Sequence, residues 1–286
     1  MNYVISMFVD RPYVMALVIT FMIVATAERG WLHMVIWLVV GTFIGWLSEF
    51  TSTRTGFPFT FYDYYPSSFP NELWLSNIPL FASLSFASLC YFGHSLTYTL
   101  FSPLKKIPGS IERVENRELQ LSLKVALWAS LLITWSDFVI DPITHLGQYW
   151  FLGKIYQYVP GDFGWLTFIY QYLTPAWHFN VPIGNYVGWL ITCFTIVYVN
   201  LLIDKALLKR GIDHKPAFNL PYRCLWSLGY YIGNFIFVLC VNLYLFFKPE
   251  LPAESHIGLI LVNTVCFIIA FVIFNVLVIR NKLQQH

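Results

Sequence analysis

The chain has 286 residues, of which 57% are hydrophobic, 19% aromatic and only 11% charged, with a formal net charge of +2. That balance excludes a water-soluble globular domain and gives no footing for nucleic-acid binding. The five cysteines (Cys90, Cys193, Cys224, Cys240 and Cys266) are isolated, with no CxxC pair, so neither a disulfide framework nor a thiolate metal site is indicated.

Apolar runs close to or beyond the roughly 18–20 residues that cross a bilayer recur along the chain. They predict seven spans, at about 12–27, 31–48, 73–101, 119–140, 184–203, 222–247 and 256–279. Backbone groups in lipid must bond internally, so each span is expected to be helical. The fold class is therefore all-α, a polytopic transmembrane helical bundle, and 1–286 reads as a single integral membrane domain. The first span runs on into the second and lacks a small-residue cleavage site, so it does not read as a removed signal peptide.

An outside N-terminus places segments 28–30, 102–124, 204–223 and 280–286 on the cytoplasmic side. These hold thirteen of the seventeen basic residues, the bias expected of cytoplasmic loops. The basic loops read as orientation signals and contacts for anionic lipid head groups. Glu49, Asp63, Glu72, Asp137, Asp141, Asp162, His145 and His178 fall toward the opposite side. Two polar-aromatic regions, 49–72 and 137–185, are thus expected to share one face and meet.

The first of these opens with EFTSTRTGFPFTFYDY, residues 49–64. Glu49, Arg54 and Asp63 stand there among hydroxyls and beside Phe57, Phe59 and Phe61, a polar site next to apolar surface. A salt bridge between Glu49 and a snorkelling Arg54 is the plainer reading, and Asp63 reads equally well as a turn residue. The loop 107–120 is the most soluble-looking stretch.

The second region begins with ITWSDFVIDPITHLGQYW, residues 133–150. Asp137 and Asp141 are four residues apart, so a helix stacks both carboxylates on one face. Two carboxyls so placed favour holding a proton between them, as a general acid requires. His145 continues the spacing, but Pro142 is expected to end the helix near Asp141. A helix cap, or pairing with Arg54 or Lys154, is the alternative. From Gln148 to Asn185 the chain is aromatic and broken by Pro160, Gly161, Gly164, Pro175 and Pro182, with an interfacial or re-entrant helix expected around 163–173. His178, with Asn180 and Asn185, forms a further polar knot, where a satisfied structural histidine is the alternative. His33, His94, His214, His256 and His286 are scattered, and no metal site is assigned.

Clustered histidines of a di-iron hydroxylase, the acidic boxes of an isoprenoid-diphosphate enzyme and a retinal-bearing lysine in the last span are all missing from the sequence. With the block from Glu49 through RTGFPF to Tyr64, WSDFVIDP at 135–142 and NVPIGNYVGW at 180–189, the chain resembles the integral-membrane carotenoid hydratases. This family includes γ-carotene 1′-hydratases and bisanhydrobacterioruberin hydratases. The likeness runs over roughly residues 30–205. Departures at Thr60 and at Trp135–Ser136 bear on the substrate more than on the fold.

The resemblance implies addition of water across the terminal double bond of an acyclic carotenoid, without oxygen or a redox cofactor. Proton delivery by Asp141 or Asp137 fits that chemistry, with Glu49 positioning water and Arg54 holding the loop carboxylates. Phe57, Phe59, Tyr62, Trp135 and Trp189 are the expected groove walls, with His178 and Asn185 beside them. The implied partners are a carotenoid or other polyisoprenoid substrate, membrane lipid and other enzymes of the pathway. The implied location is a prokaryotic cytoplasmic membrane. A non-catalytic polyisoprenoid-binding membrane protein and a small-solute transporter are the competing readings.

Overall fold

The computed structural model describes residues 3–68, 71–144, 155–248 and 253–280. His145 and Lys154, named above, lie outside them. A short helix, α1 (Tyr3–Asp10), precedes α2 (Pro12–Arg29), which starts on a proline where the absent N–H is no loss. Gly30 separates it from α3 (Trp31–Thr55). This helix runs past the predicted end at 48, so Glu49 and Arg54 stand on its last turns rather than in a loop. Gly56 stops it in the left-handed conformation at φ +76°, its N–H bonded to the Ser52 carbonyl.

Next come β1 (Tyr62–Tyr64), β2 (Trp74–Leu75) and β3 (Ile78–Pro79). The β2–β3 pair occupies the start of the third predicted span, so α4 (Leu80–Phe101) begins later than expected. A hairpin of β4 (Leu104–Ile107) and β5 (Ser110–Arg113) and a short α5 (Arg117–Gln120) lead to α6 (Leu123–Thr144). Pro142 lies inside α6 instead of ending it at Asp141. The region after it holds β6 (Tyr156–Tyr158), α7 (Thr167–Tyr170), β7 (Ala176–His178) and β8 (Val181–Pro182). Three long helices follow: α8 (Ile183–Lys209), α9 (Trp226–Phe246) and α10 (Ala253–Arg280).

The chain is a polytopic all-α bundle. Helices α2, α3, α6, α8, α9 and α10 contain stretches long and apolar enough to cross a membrane. The seventh long helix, α4, is not among these six. Its 22 residues include Ser83, Ser88, His94, Ser95, Thr97 and Thr99, all buried. It packs against α2, α3, α6, α8 and α9, so its polar residues face other helices instead of lipid. The predicted interfacial helix is a short turn at 164–166 followed by α7, with Trp165, Phe168 and Tyr172 exposed.

One pairing sets the position of the site. Strands β1 and β6 run antiparallel with Tyr62 opposite Tyr158, Asp63 opposite Gln157 and Tyr64 opposite Tyr156. The two polar-aromatic regions thereby meet, as the charge pattern predicts.

Candidate active site

The end of α3 and the start of α8 build the floor of the site through one tight turn. Thr60 N–H donates to the Gly56 carbonyl at 2.7 Å, and Phe59 N–H donates to Ser52 Oγ at 2.9 Å. Thr60 takes a positive φ of 82°, and the Tyr170 hydroxyl donates to the Pro58 carbonyl at 3.1 Å. This turn lies directly on α8. A Cβ at Gly188 would stand 2.7 Å from Phe59 Cα, and one at Gly184 would stand 2.4 Å from Thr60 Cγ2. The GFPF and GNYVGW blocks are therefore the two halves of one contact, which presses Phe59 inward.

Around Phe59 the helices deliver the polar groups. Asp137 and Asp141, one turn apart on α6, are both buried, and their carboxyls converge on the amide of Asn185. Asn185 of α8 donates to Asp141 Oδ2 and stands 3.4 Å from Asp137 Oδ2. The Tyr156 hydroxyl donates to Asp141 Oδ1 at 2.6 Å. Across from them Glu49 of α3, also buried, accepts from the Tyr64 hydroxyl at 2.5 Å. Its other oxygen, Oε2, makes no well-formed hydrogen bond among the described residues, with the Ser83 hydroxyl nearby. Burial pushes the hydroxyls of Tyr62, Tyr64 and Tyr156 well above the ordinary phenol range. They therefore remain protonated donors.

Between the two acidic stations lies a cavity of about 60 Å³, lined by Glu49, Phe59, Tyr62, Tyr64, Phe86, Asp141, Tyr156, Asn185 and Trp189. One wall is aromatic: Phe86 stacks on Trp189 at 4.7 Å between centroids, and Phe59 meets Trp189 at 5.8 Å. The space admits a few water-sized groups, not the length of a polyene.

The structure gathers six of the sequence-predicted residues into this lining: Glu49, Phe59, Tyr62, Asp141, Asn185 and Trp189, with Asp137 directly behind Asp141. Four others are placed elsewhere. Arg54 donates to Asn77 Oδ1 at 2.8 Å and Ser76 Oγ at 3.0 Å and lies over the Phe50 ring, so it tethers the β2–β3 turn and holds no loop carboxylate. Phe57 is 41% exposed and packs edge-on to Tyr170. Trp135 stacks on Phe138 and donates to the Cys266 carbonyl, facing α10. His178 stacks on Phe138 at 3.9 Å and meets its carbonyl at 3.0 Å, a satisfied histidine that burial keeps neutral.

Tyr64, Phe86 and Tyr156 join the lining without having been picked from the sequence. The two tyrosines had a signal in the paired Tyr-x-Tyr triplets at 62–64 and 156–158, whose alternation sends both hydroxyls of a triplet to one side. Phe86 had none, because one phenylalanine in an apolar span looks like any other. Among the described residues, the one grouping of His, Cys, Asp and Glu side chains close enough to hold a metal is His33, Asp204 and His214, outside this lining.

A polytopic helical bundle that buries three carboxyls and a tyrosine set against an aromatic wall has the make-up of a membrane protein with an acid-bearing, aromatic-walled cavity. The chain belongs to the carotenoid biosynthesis protein family, which it matches over residues 11–265. Neither a curated protein nor a solved structure matches it.

Proposed function

We propose that the protein is a carotenoid hydratase, adding water to the terminal C=C of an acyclic carotenoid to give a tertiary alcohol. The observation that carries this reading is the small cavity with Asp141 on one side, Glu49 on the other and aromatic rings between. Its size suits the end of a polyene and not its middle, which favours chemistry at the terminal bond.

Asp141 gives a proton to the less substituted carbon of that bond, and the tertiary cation forms at the other carbon. The faces of Phe59, Phe86 and Trp189 stabilise the charge as it develops. A water held by Glu49 Oε2 attacks the cation and loses its second proton to Glu49. The net change is one H and one OH added, and proton exchange between the two stations resets the site. Asp137 and Asn185 hold Asp141 in place, and Tyr156 and Tyr64 orient the two carboxyls by donating to them. No step consumes an oxidant or a reductant.

The test is expression in a lycopene-accumulating host followed by mass spectrometry of the extracted pigment. Products heavier by one or two waters are expected. Losing general acid catalysis costs on the order of 10²–10⁴-fold, so Asp141→Asn should leave lycopene unchanged at equal membrane expression. Full hydration by that variant would overturn the assignment of the acid. Unaltered lycopene with the wild-type chain well expressed would overturn the substrate.

A further inference from the structure

At the other end of α3 lies a second polar centre that the hydration chemistry does not use. His33 is sixteen positions before Glu49, about 24 Å along the helix at 1.5 Å per residue. Folding brings it to Asp204 near the end of α8 and to His214 in the segment after α8. The two imidazole rings meet nearly perpendicular, with centroids 4.2 Å apart. His33 Nε2 stands 3.8 Å from Asp204 Oδ1, and His214 Nε2 stands 3.5 Å from Asp204 Oδ2. One ligand atom from each of the three residues falls within 4.8 Å of the other two. Arg29 donates to Asp204 Oδ2 at 2.6 Å, which leaves Oδ1 buried with no donor among the described residues.

Arg29 occupies one oxygen of this buried carboxylate, and the other, without a donor and faced by His33, is open to a metal ion. Zinc bonds of about 2.0–2.1 Å to nitrogen and oxygen give a tetrahedral edge of about 3.3 Å. His33 faces Oδ1 at 3.8 Å and His214 faces Oδ2 at 3.5 Å, and the three ligand atoms lie within 4.8 Å of one another, so side-chain movements that turn both rings onto the donor-free Oδ1 close the site. Two imidazoles and one carboxylate also match zinc's donor preference, whereas magnesium and calcium favour oxygen alone. Arg117 approaches His214 Nδ1 at 2.8 Å and also pairs with Asp213 and Glu115. It is 30% exposed, so it can keep its carboxylate partners when the ring proton moves to Nδ1 and frees Nε2 for the metal.

We propose that His33, Asp204 and His214 form a zinc site with three protein ligands and a fourth position for water. Its role is to clamp the start of α3 to the end of α8 and to the segment carrying His214. That segment is also held by Arg117 through Asp213 and by two backbone bonds to α2, Lys215 N–H to the Arg29 carbonyl and Ala217 N–H to the Thr26 carbonyl.

The experiment uses the full chain purified in detergent, stripped with a chelator, given zinc sulfate and dialysed. About one zinc per chain by elemental analysis is expected, with a rise in Tm of several degrees. His33→Gln and His214→Gln should each lose the retained zinc and the rise in Tm. His214 lies outside the long helices, so its variant reports even where His33→Gln fails to fold. A wild-type chain that retains no zinc and does not shift overturns the proposal, and so does equal retention by a folded variant.

Discussion

The hydroxyl of Tyr156 is the closest polar contact of Asp141 that can be removed without changing the shape of the site. Burial keeps this phenol protonated, so it donates to the carboxyl throughout the physiological range. A hydrogen bond to a charged group is worth about 1.5–3 kcal/mol. Tyr156→Phe should therefore slow hydration roughly 10- to 100-fold with normal expression, measured as product formed per unit of membrane protein. An unchanged rate would mean that Asp141 needs no donor there. Arg54 provides the contrast. Its partners are Asn77, Ser76 and the Phe50 ring, all outside the cavity lining, so Arg54→Ala should reduce the rate by less than about threefold, the scale of an exposed interaction. A loss as large as that of Asp141→Asn would return Arg54 to the site. The difference between these two residues also shows where sequence reasoning stopped. The i, i+4 spacing placed Asp137 and Asp141 together because helical geometry is local. Arg54 looked equally functional, yet α3 continues to Thr55 and turns its guanidinium toward the β2–β3 turn. Only the point where the helix ends decides that.

At the scale of elements, the site depends on the seat between the 56–60 turn and α8. The backbone of Phe59 lies so close to α8 that only a hydrogen fits at Gly188: a Cβ there would be 2.8 Å from the Pro58 carbonyl oxygen and 2.7 Å from Phe59 Cα. Backbone atoms cannot rotate away as a side-chain tip can. Gly188→Val should thus push the turn off α8 and carry Phe59 away from Trp189 and Phe86. Overpacking typically costs about 1–3 kcal/mol, which a bundle of this size tolerates. The expected result is an expressed, helical protein by circular dichroism with hydration reduced at least tenfold. Wild-type activity would show that the placement of Phe59 does not matter. The helices were legible at this scale because apolar runs are long and contiguous. The β1–β6 pairing was not, since three-residue strands carry almost no pattern and join segments about ninety positions apart. Their Tyr-x-Tyr triplets become informative only when compared with one another. The His33–Asp204–His214 centre was likewise hidden, its members spread over 33–214 with no ligand spacing between them.

For the whole molecule, orientation decides which side of the membrane the acidic cavity faces. Orientation follows from the distribution of charge. One end of the bundle carries β1, β6 and the two acidic stations. The other carries the β4–β5 hairpin and the segment after α8, with Lys105, Lys106, Lys209, Arg210 and Lys215. That second end also buries the Glu28–Arg113 pair at 2.7 Å and the Arg29–Asp204 pair at 2.6 Å, so not all of its arginines are free to act as loop charges. Setting buried Arg29 and Arg113 aside, the exposed lysines alone still outnumber the basic residues of the acidic end. The positive-inside bias therefore survives, and the prediction it makes is an outward-facing acidic end. Cys240 is exposed and the other four cysteines are buried, so a Cys240→Ser background leaves no exposed native thiol. In that background Asp162→Cys, in the exposed loop beyond β6, should react with a membrane-impermeant maleimide on intact spheroplasts. Lys209→Cys, at the end of α8, should react only after the membrane is opened. The opposite labelling would put the cavity on the cytoplasmic side. It would also mean that the buried arginines, and not the exposed lysines, had governed insertion. Labelling of both sites in intact spheroplasts would instead separate the two ends from opposite sides of the bilayer and require a span count other than seven.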